Sequence, residues 1–445
     1  MKRLTTLAIL LATTSLASAA SNESFILQAG KKNTATVGQF VGNNKQGTVQ
    51  LGVGNNAVTA QQSNAGGANN SATVEIGVGN KSTVGQLDGK NDQATVQVGG
   101  FNTAKTLQGN EGNADNASFT GQFGVDNRSN VGQTASGNSE DNKAATLQFG
   151  FGNKAVTSQN SADSGANNKP GQGGENNSLA LQVGGFNTAK TNQDSSGVGK
   201  GASAQGGVQN DSATLQFGFG NSSTTNQSGA VDGKKADQAD NASLTAQFGV
   251  DNTAKTKQVN GNNEQATLQV GIGNSAKTKQ KNADDASNVN ASLTTQFGKD
   301  NTSTANQTNG NNLQATVQVG KDNTASTKQK NADGGAGVNA SLTLEFGKGN
   351  TATTSQKIAD PLSSGVNGSL IAQFGKNNVA NVHQADTTGL QPMIGANLQT
   401  TLQVGNGNSA TTMQTASANV TNASVTAQFG SHNTAITTQS SAASK

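Results

Sequence analysis

Apolar and polar residues alternate along this chain in short runs, and the runs return with the same residues in the same places. In the stretch from Asn263 to Gln280 (NEQATLQVGIGNSAKTKQ), Asn263, Gln265, Thr267 and Gln269 fall on one side. Ala266, Leu268 and Val270 fall on the other. Alternation with period two predicts a β-strand. Gly271-Ile272-Gly273 breaks the alternation and turns the chain. Asn274, Ala276, Thr278 and Gln280 then form a second run, with Ser275, Lys277 and Lys279 opposite. Each unit therefore reads strand, arc, strand.

The unit recurs sixteen times with the skeleton Asn-x5-Gln-x-Gly-x2-Asn-x-(Ala/Ser)-x3-Gln. Its fixed positions are Asn22, Gln28, Gly30, Asn33 and Gln39 in the first copy, and Asn116, Gln122, Gly124, Asn127 and Gln133 in the fifth. They are Asn263, Gln269, Gly271, Asn274 and Gln280 in the tenth, and Asn422, Gln428, Gly430, Asn433 and Gln439 in the last. Glu75 and Glu345 replace the central Gln in two copies. Strict repetition of polar residues suits a stack of identical β-rungs, where each amide lies over its twin and can hydrogen-bond to it. A buried amide without that partner costs about 1–3 kcal/mol, so such a ladder locks the register. The Ala/Ser position, for example Ala35 and Ser82, stays small so that two sheets can approach. The invariant Gly supplies an unusual backbone angle where the strand enters the arc. The expected fold is all-β: a two-sheet β-solenoid of about sixteen strand–arc–strand rungs, roughly 75 Å long at ~4.7–4.8 Å per rung. Both ends would be open edges.

The connections support the strand assignment. The shortest are LDGK (Leu87–Lys90), VNGN (Val259–Asn262) and TNGN (Thr308–Asn311), whose Asp-Gly and Asn-Gly pairs are tight-turn signals. Longer linkers fall near residues 160–175, 194–209, 228–240 and 385–396. Pro170, Pro361 and Pro392 lie in linkers and never in a strand, where each would remove a ladder hydrogen bond.

Composition makes a conventional core hard to build. Only 31% of the 445 residues are hydrophobic, and there is no Trp, Tyr or Cys. Such a chain would read as disordered if its repeat were not phased. Residues 1–19 read as a secretory signal: Lys2 and Arg3, an apolar run from Leu4 to Leu16, then Ala17-Ser18-Ala19. The run is too short to span a membrane. Without it, residues 20–445 form one repeat domain with 27 basic and 26 acidic side chains. Near-neutrality permits self-association and argues against a nucleic-acid partner.

One stripe does not belong to the polar skeleton. The residue after the central Gln is apolar in every copy, and eight of the fifteen phenylalanines stand there: Phe123, Phe149, Phe217, Phe248, Phe297, Phe346, Phe374 and Phe429. Either this stripe points outward and forms an apolar flank, or it fills the core and turns the first-strand amides to solvent.

From Asn22 to Gln439 the skeleton resembles the curlin repeat, Ser/Asn-x5-Gln-x-Gly-x2-Asn-x-Ala-x3-Gln. The resemblance implies a secreted structural subunit of curli type that self-assembles into extracellular amyloid fibres. These serve in biofilm matrix, surface adhesion and cell aggregation on a Gram-negative-type bacterium. It also implies a nucleator subunit, an outer-membrane export pore, and inward-facing Asn22, Gln28, Asn33, Ala35 and Gln39 with their counterparts. This chain departs from the family's major subunit in its many units, its uneven linkers, and Ser, Gln or Thr where aliphatics stand. It also starts its first unit almost at the signal cleavage site, without the polar export segment.

No catalytic or metal site and no cofactor are expected. His383 and His432 are the only histidines and have no cysteine neighbours. Asp126, Asp251, Asp300 and Asp322 sit in arcs, as turn residues or as gatekeepers against premature assembly. Two other readings compete with the fibre subunit. One is a monomeric adhesin or ice-binding solenoid using Thr rows; the other is a nucleator of some other fibre.

Overall fold

The computed structural model describes residues 22–63, 67–112, 114–137, 141–162, 174–195, 208–229, 240–282, 288–332, 336–360, 364–386, 395–417 and 420–441. The expected signal segment 1–19, the centres of the long linkers and all three prolines lie outside them. The described chain is all-β, with no helix. It forms two parallel sheets of 16 strands each, wound as a β-solenoid. The chain passes alternately between them: a strand of 10 or 11 residues in one sheet, such as Asn262–Ile272, then a shorter one in the other, such as Ser275–Lys281. These are called the long and the short sheet.

Every strand pairs with the strand one circuit away, and like residues face like residues. Gln247 lies opposite Gln269, Gly249 opposite Gly271 and Ala254 opposite Ala276. The register survives changes in connection length. Gln148 pairs with Gln182 although 34 residues separate them, because the insertion is spent outside the strands. Identical strands in parallel register satisfy every backbone group of an inner rung with the rungs on either side.

The arcs explain the invariant glycine. Gly271 has φ 132°, and a Cβ there would stand 1.8 Å from the carbonyl oxygen of Gly298 on the next rung. No side chain fits that approach. Two residues later every arc holds a residue in the left-handed region. Where it is not Gly it is often Asp or Asn, as at Asp126, Asp251, Asp300, Asp322 and Asn377, with φ of 53–58°. The four arc aspartates are therefore turn residues. The expected turns at Asp88-Gly89, Asn260-Gly261 and Asn309-Gly310 all show two consecutive positive φ values. Val41-Gly42 forms a fourth one that the sequence conceals, because a β-branched residue gives no turn signal.

The core lies between the sheets and is polar. Its largest side chains are ladder glutamines together with Ile358 and Ile371; most of the rest is Asn, Ser, Thr and Ala, with a few valines such as Val84, Val131 and Val382 and the carboxyls of Glu75, Glu345 and Asp386. The question of the apolar stripe resolves cleanly: the amides turn in and the stripe turns out. Gln269 is fully buried, whereas Phe149, Phe248, Phe297 and Phe374 are 38–39% exposed and Phe429 at the end is 66% exposed. None of the fifteen phenylalanines is buried. The reason is spatial. Facing Gln rows interlock with backbone carbonyls across the gap, and the alternation of a strand then leaves only the outer face for Phe and Leu.

Candidate functional site

Four rows of side chains run the length of the rod inside the core. Except around Glu75 and Glu345, the central Gln of a long strand donates from Nε2 to Oε1 of the Gln on the following rung: Gln97 to Gln122, Gln122 to Gln148, and Gln247 to Gln269 to Gln296, at 2.7–2.8 Å. The last Gln of each short strand does the same. That row runs from Gln39 through Gln133 and Gln280 to Gln439 in 15 successive hydrogen bonds of 2.7–3.0 Å without a gap. The second amide hydrogen goes to a backbone carbonyl on the facing sheet, as from Gln269 to Thr253 O (3.0 Å) and from Gln280 to Glu264 O (2.7 Å). That bond fixes which end of each amide is nitrogen, so the direction of the row follows from sheet geometry.

The Asn rows run the opposite way. Asn44 donates back to Asn22, Asn116 to Asn91, Asn263 to Asn241 and Asn422 to Asn397, at 2.8–3.0 Å. In the arcs, Asn127 reaches back to Asn102 and Asn274 to Asn252, each through both its backbone N–H and its Nδ2. Asn433 contacts Asn408 in the same manner, and Asn33 Oδ1 accepts from Asn55 N at 3.1 Å. Opposed row directions keep amide dipoles from summing along the rod.

The two ends are complementary. Gln28 and Gln39 donate onward into the stack. On the first rung their Oε1 atoms have no preceding described rung to donate to them. At the other end Gln428 and Gln439 donate only to the carbonyls of Ser409 and Ala423. The last rung thus offers amide donors where the first offers acceptors. Asn422 Oδ1 is occupied by the Ser441 hydroxyl (2.8 Å), a local cap on that row.

The outer faces of the two sheets differ. On the long sheet the apolar stripe stacks rung on rung: Phe123 on Phe149 at 4.9 Å between ring centroids, Phe217 on Phe248 at 5.1 Å, and Phe346 on Phe374 at 5.2 Å, all with nearly parallel rings. Beside the stripe a groove of about 2700 Å³ runs over Phe25, Phe119, Leu179, Leu244 and Val425. The short sheet turns out polar side chains, among them Lys105, Lys190, Lys255 and Lys277. Those lysines interrupt one outward rank, while the rank at the start of the short strands carries Thr188, Thr253, Thr302, Thr324 and Thr351. A further Thr rank, with its substitutions Val84, Ala305 and Val382, is buried inside.

Two features escape the repeat pattern. Two residues after the first Asn, Ser and Gln stand on successive rungs and pair: Ser24 with Gln46, Ser243 with Gln265 and Ser292 with Gln314, at 2.7–2.9 Å. Each Ser leaves the room its neighbour's longer side chain takes up. The alternation is visible in the sequence once rungs are compared in pairs. The other feature is the pair of buried carboxyls, Glu75 and Glu345, which interrupt the long-sheet Gln row. Burial pushes Glu75 from 4.5 up to about 7, against the lowering effect of the Gln50 amide and the Ser82 N–H. Burial pushes Glu345 up to about 8, against Gln318 and the Ala352 N–H.

Among the described residues no His, Cys, Asp or Glu cluster could hold a metal ion, and no helix is long and apolar enough to cross a membrane. No family model matches this chain, and no curated protein matches it.

Proposed function

We propose that this protein is a structural subunit that polymerises end to end into extracellular amyloid fibres, as the curlin resemblance implies. In this reading its sixteen curlin-like rungs extend one continuous ladder from copy to copy. The observation that carries the proposal is the complementarity of the rod ends. The Gln428 and Gln439 amides at one end match the open acceptors of Gln28 and Gln39 at the other. Head-to-tail stacking continues both Gln rows, whereas like-to-like contact sets donor against donor or acceptor against acceptor. A head-to-tail interface that stacks rung on rung along the rod axis has no rotation that closes a ring, so it gives filaments. The apolar flank of the long sheet is the surface for lateral contact between rods, matched to a second rod by their common rung spacing.

This reading places the protein outside the cell, on or near the surface of a Gram-negative-type bacterium. It would arrive there after removal of residues 1–19, through a curli-type pore and with a nucleator subunit to start growth. Biofilm cohesion, adhesion and cell aggregation follow from a fibre of that kind. It has no enzymatic role, cofactor or nucleic-acid partner in this reading. The test is seeded growth of the purified protein. Fibres with cross-β diffraction at ~4.7–4.8 Å, extended without lag by sheared fragments, are the expected result. A chain that stays monomeric and ignores seeds sinks the proposal.

A further inference from the structure

The long-sheet Gln row is broken at two places in the same way. Gln50 Nε2 donates to Glu75 Oε2, and Gln318 Nε2 donates to Glu345 Oε2, each at 2.7 Å. On the other side of each glutamate the pattern fails. Glu75 lies opposite Gln97 and Glu345 opposite Gln373. In an unbroken row the preceding amide would donate to those glutamines. Here the buried Oε1 of Glu75, of Gln97, of Glu345 and of Gln373 all lack a hydrogen-bond partner. An ionised carboxylate has no hydrogen to offer, so each break sets two acceptors against each other in a dry core.

A proton removes the conflict. We infer that Glu75 and Glu345 are carboxylic acids in the folded rod, each accepting at Oε2 from the preceding Gln and donating its O–H to Oε1 of Gln97 or Gln373. Each carboxyl takes one proton from solvent as the core closes and releases it when that rung opens. The cohesion of the stack at these two rungs then depends on bound protons, and alkali loosens it there. Fibre formation is not required for this.

Among the described residues no cation stands ready to stabilise the ionised form. Around Glu75, the charged groups on its neighbouring and facing strands are Lys45, Lys81, Lys90 and Asp92, with Asp88 in the adjoining turn; the strand residues all point to solvent. Around Glu345 they are Lys321, Lys328, Lys330, Lys348, Lys357 and Lys376, likewise outward. Burial raises both carboxyls above the ordinary 4.5. The sign follows from proton counts. Between 4.5 and about 7 for Glu75, or about 8 for Glu345, the folded state holds a proton that the unfolded state has lost. Stability therefore falls as pH rises through that window, and the loss is complete above it.

The test compares the purified full chain with the variant Glu75→Gln/Glu345→Gln, which installs the amide already present at the other fourteen central positions. Denaturant-driven opening is followed by hydrogen exchange at the strands of Gln97 and Gln373, from about pH 5 to pH 9 after correction for intrinsic exchange. The wild type should open roughly tenfold or more readily at the alkaline end, and the variant should lose that dependence. Glu264→Gln, which removes an exposed carboxylate, should leave it in place. Infrared spectra at mildly acidic pH should show a protonated-carboxyl stretch that the double variant lacks. An unchanged pH dependence in the double variant, or no such stretch in the wild type, overturns the inference. Failure to form fibres would bear on the proposed function alone.

Discussion

Two glutamine rows run side by side through this rod, built from the same residue at the same spacing, and they differ in one respect. The short-sheet row is continuous from Gln39 to Gln439, while the long-sheet row is cut into three lengths at Glu75 and Glu345. A Gln can pass a hydrogen bond along because it carries a donor and an acceptor; a carboxylate can only end one. Cohesion in this core thus depends on the identity of every link, far more than on apolar area. Where an apolar core tolerates an isosteric swap, a polar row distinguishes O⁻ from NH₂.

The comparison can be broken most severely through the backbone that both rows share. Gly271→Ala places a methyl against the Gly298 carbonyl and should cost on the order of 3 kcal/mol or more, read as a lowered denaturation midpoint. Transplanting the interruption is the sharper test. Gln280→Glu removes the donor to Gln307 Oε1 in the unbroken row. By the proton balance given above, the added loss should be small in acid. It should reach about 3 kcal/mol at alkaline pH, measured by denaturation across pH. Gln280→Leu in one row and Gln269→Leu in the other each leave a donor and an acceptor unpaired on the adjacent rungs. These two should cost about 2–3 kcal/mol each and match one another at every pH, since both sites lie between two glutamines. The smallest effect is expected outside. Replacing Phe123, Phe248 and Phe297 with Thr should shift rung stability by about 1 kcal/mol or less per site, while reducing lateral bundling seen by electron microscopy.

Much of this was legible in the residues. Period-two alternation located the strands, the sixteen-fold skeleton fixed their register, and Asp-Gly and Asn-Gly placed three tight turns. Val41-Gly42 was hidden because the stack imposes on Val41 a conformation its side chain disfavours. The two glutamates were visible as substitutions, but their chemistry was not. Only the register, which sets the bare Oε1 of Gln97 or Gln373 against each carboxyl, makes a protonated acid the fitting link.

The sequence by itself determined the repeat, the parallel register and the two strands per circuit, because each is a local pattern repeated until stacking is its single consistent solution. The tertiary structure decided which face is inside. Alternation assigns residues to two faces without ordering them, and burial normally favours the apolar one. Here the amides turn inward because only the core supplies the carbonyls and twin amides that satisfy every donor. Phe and Leu are left to the outer surface, most of them on the long sheet.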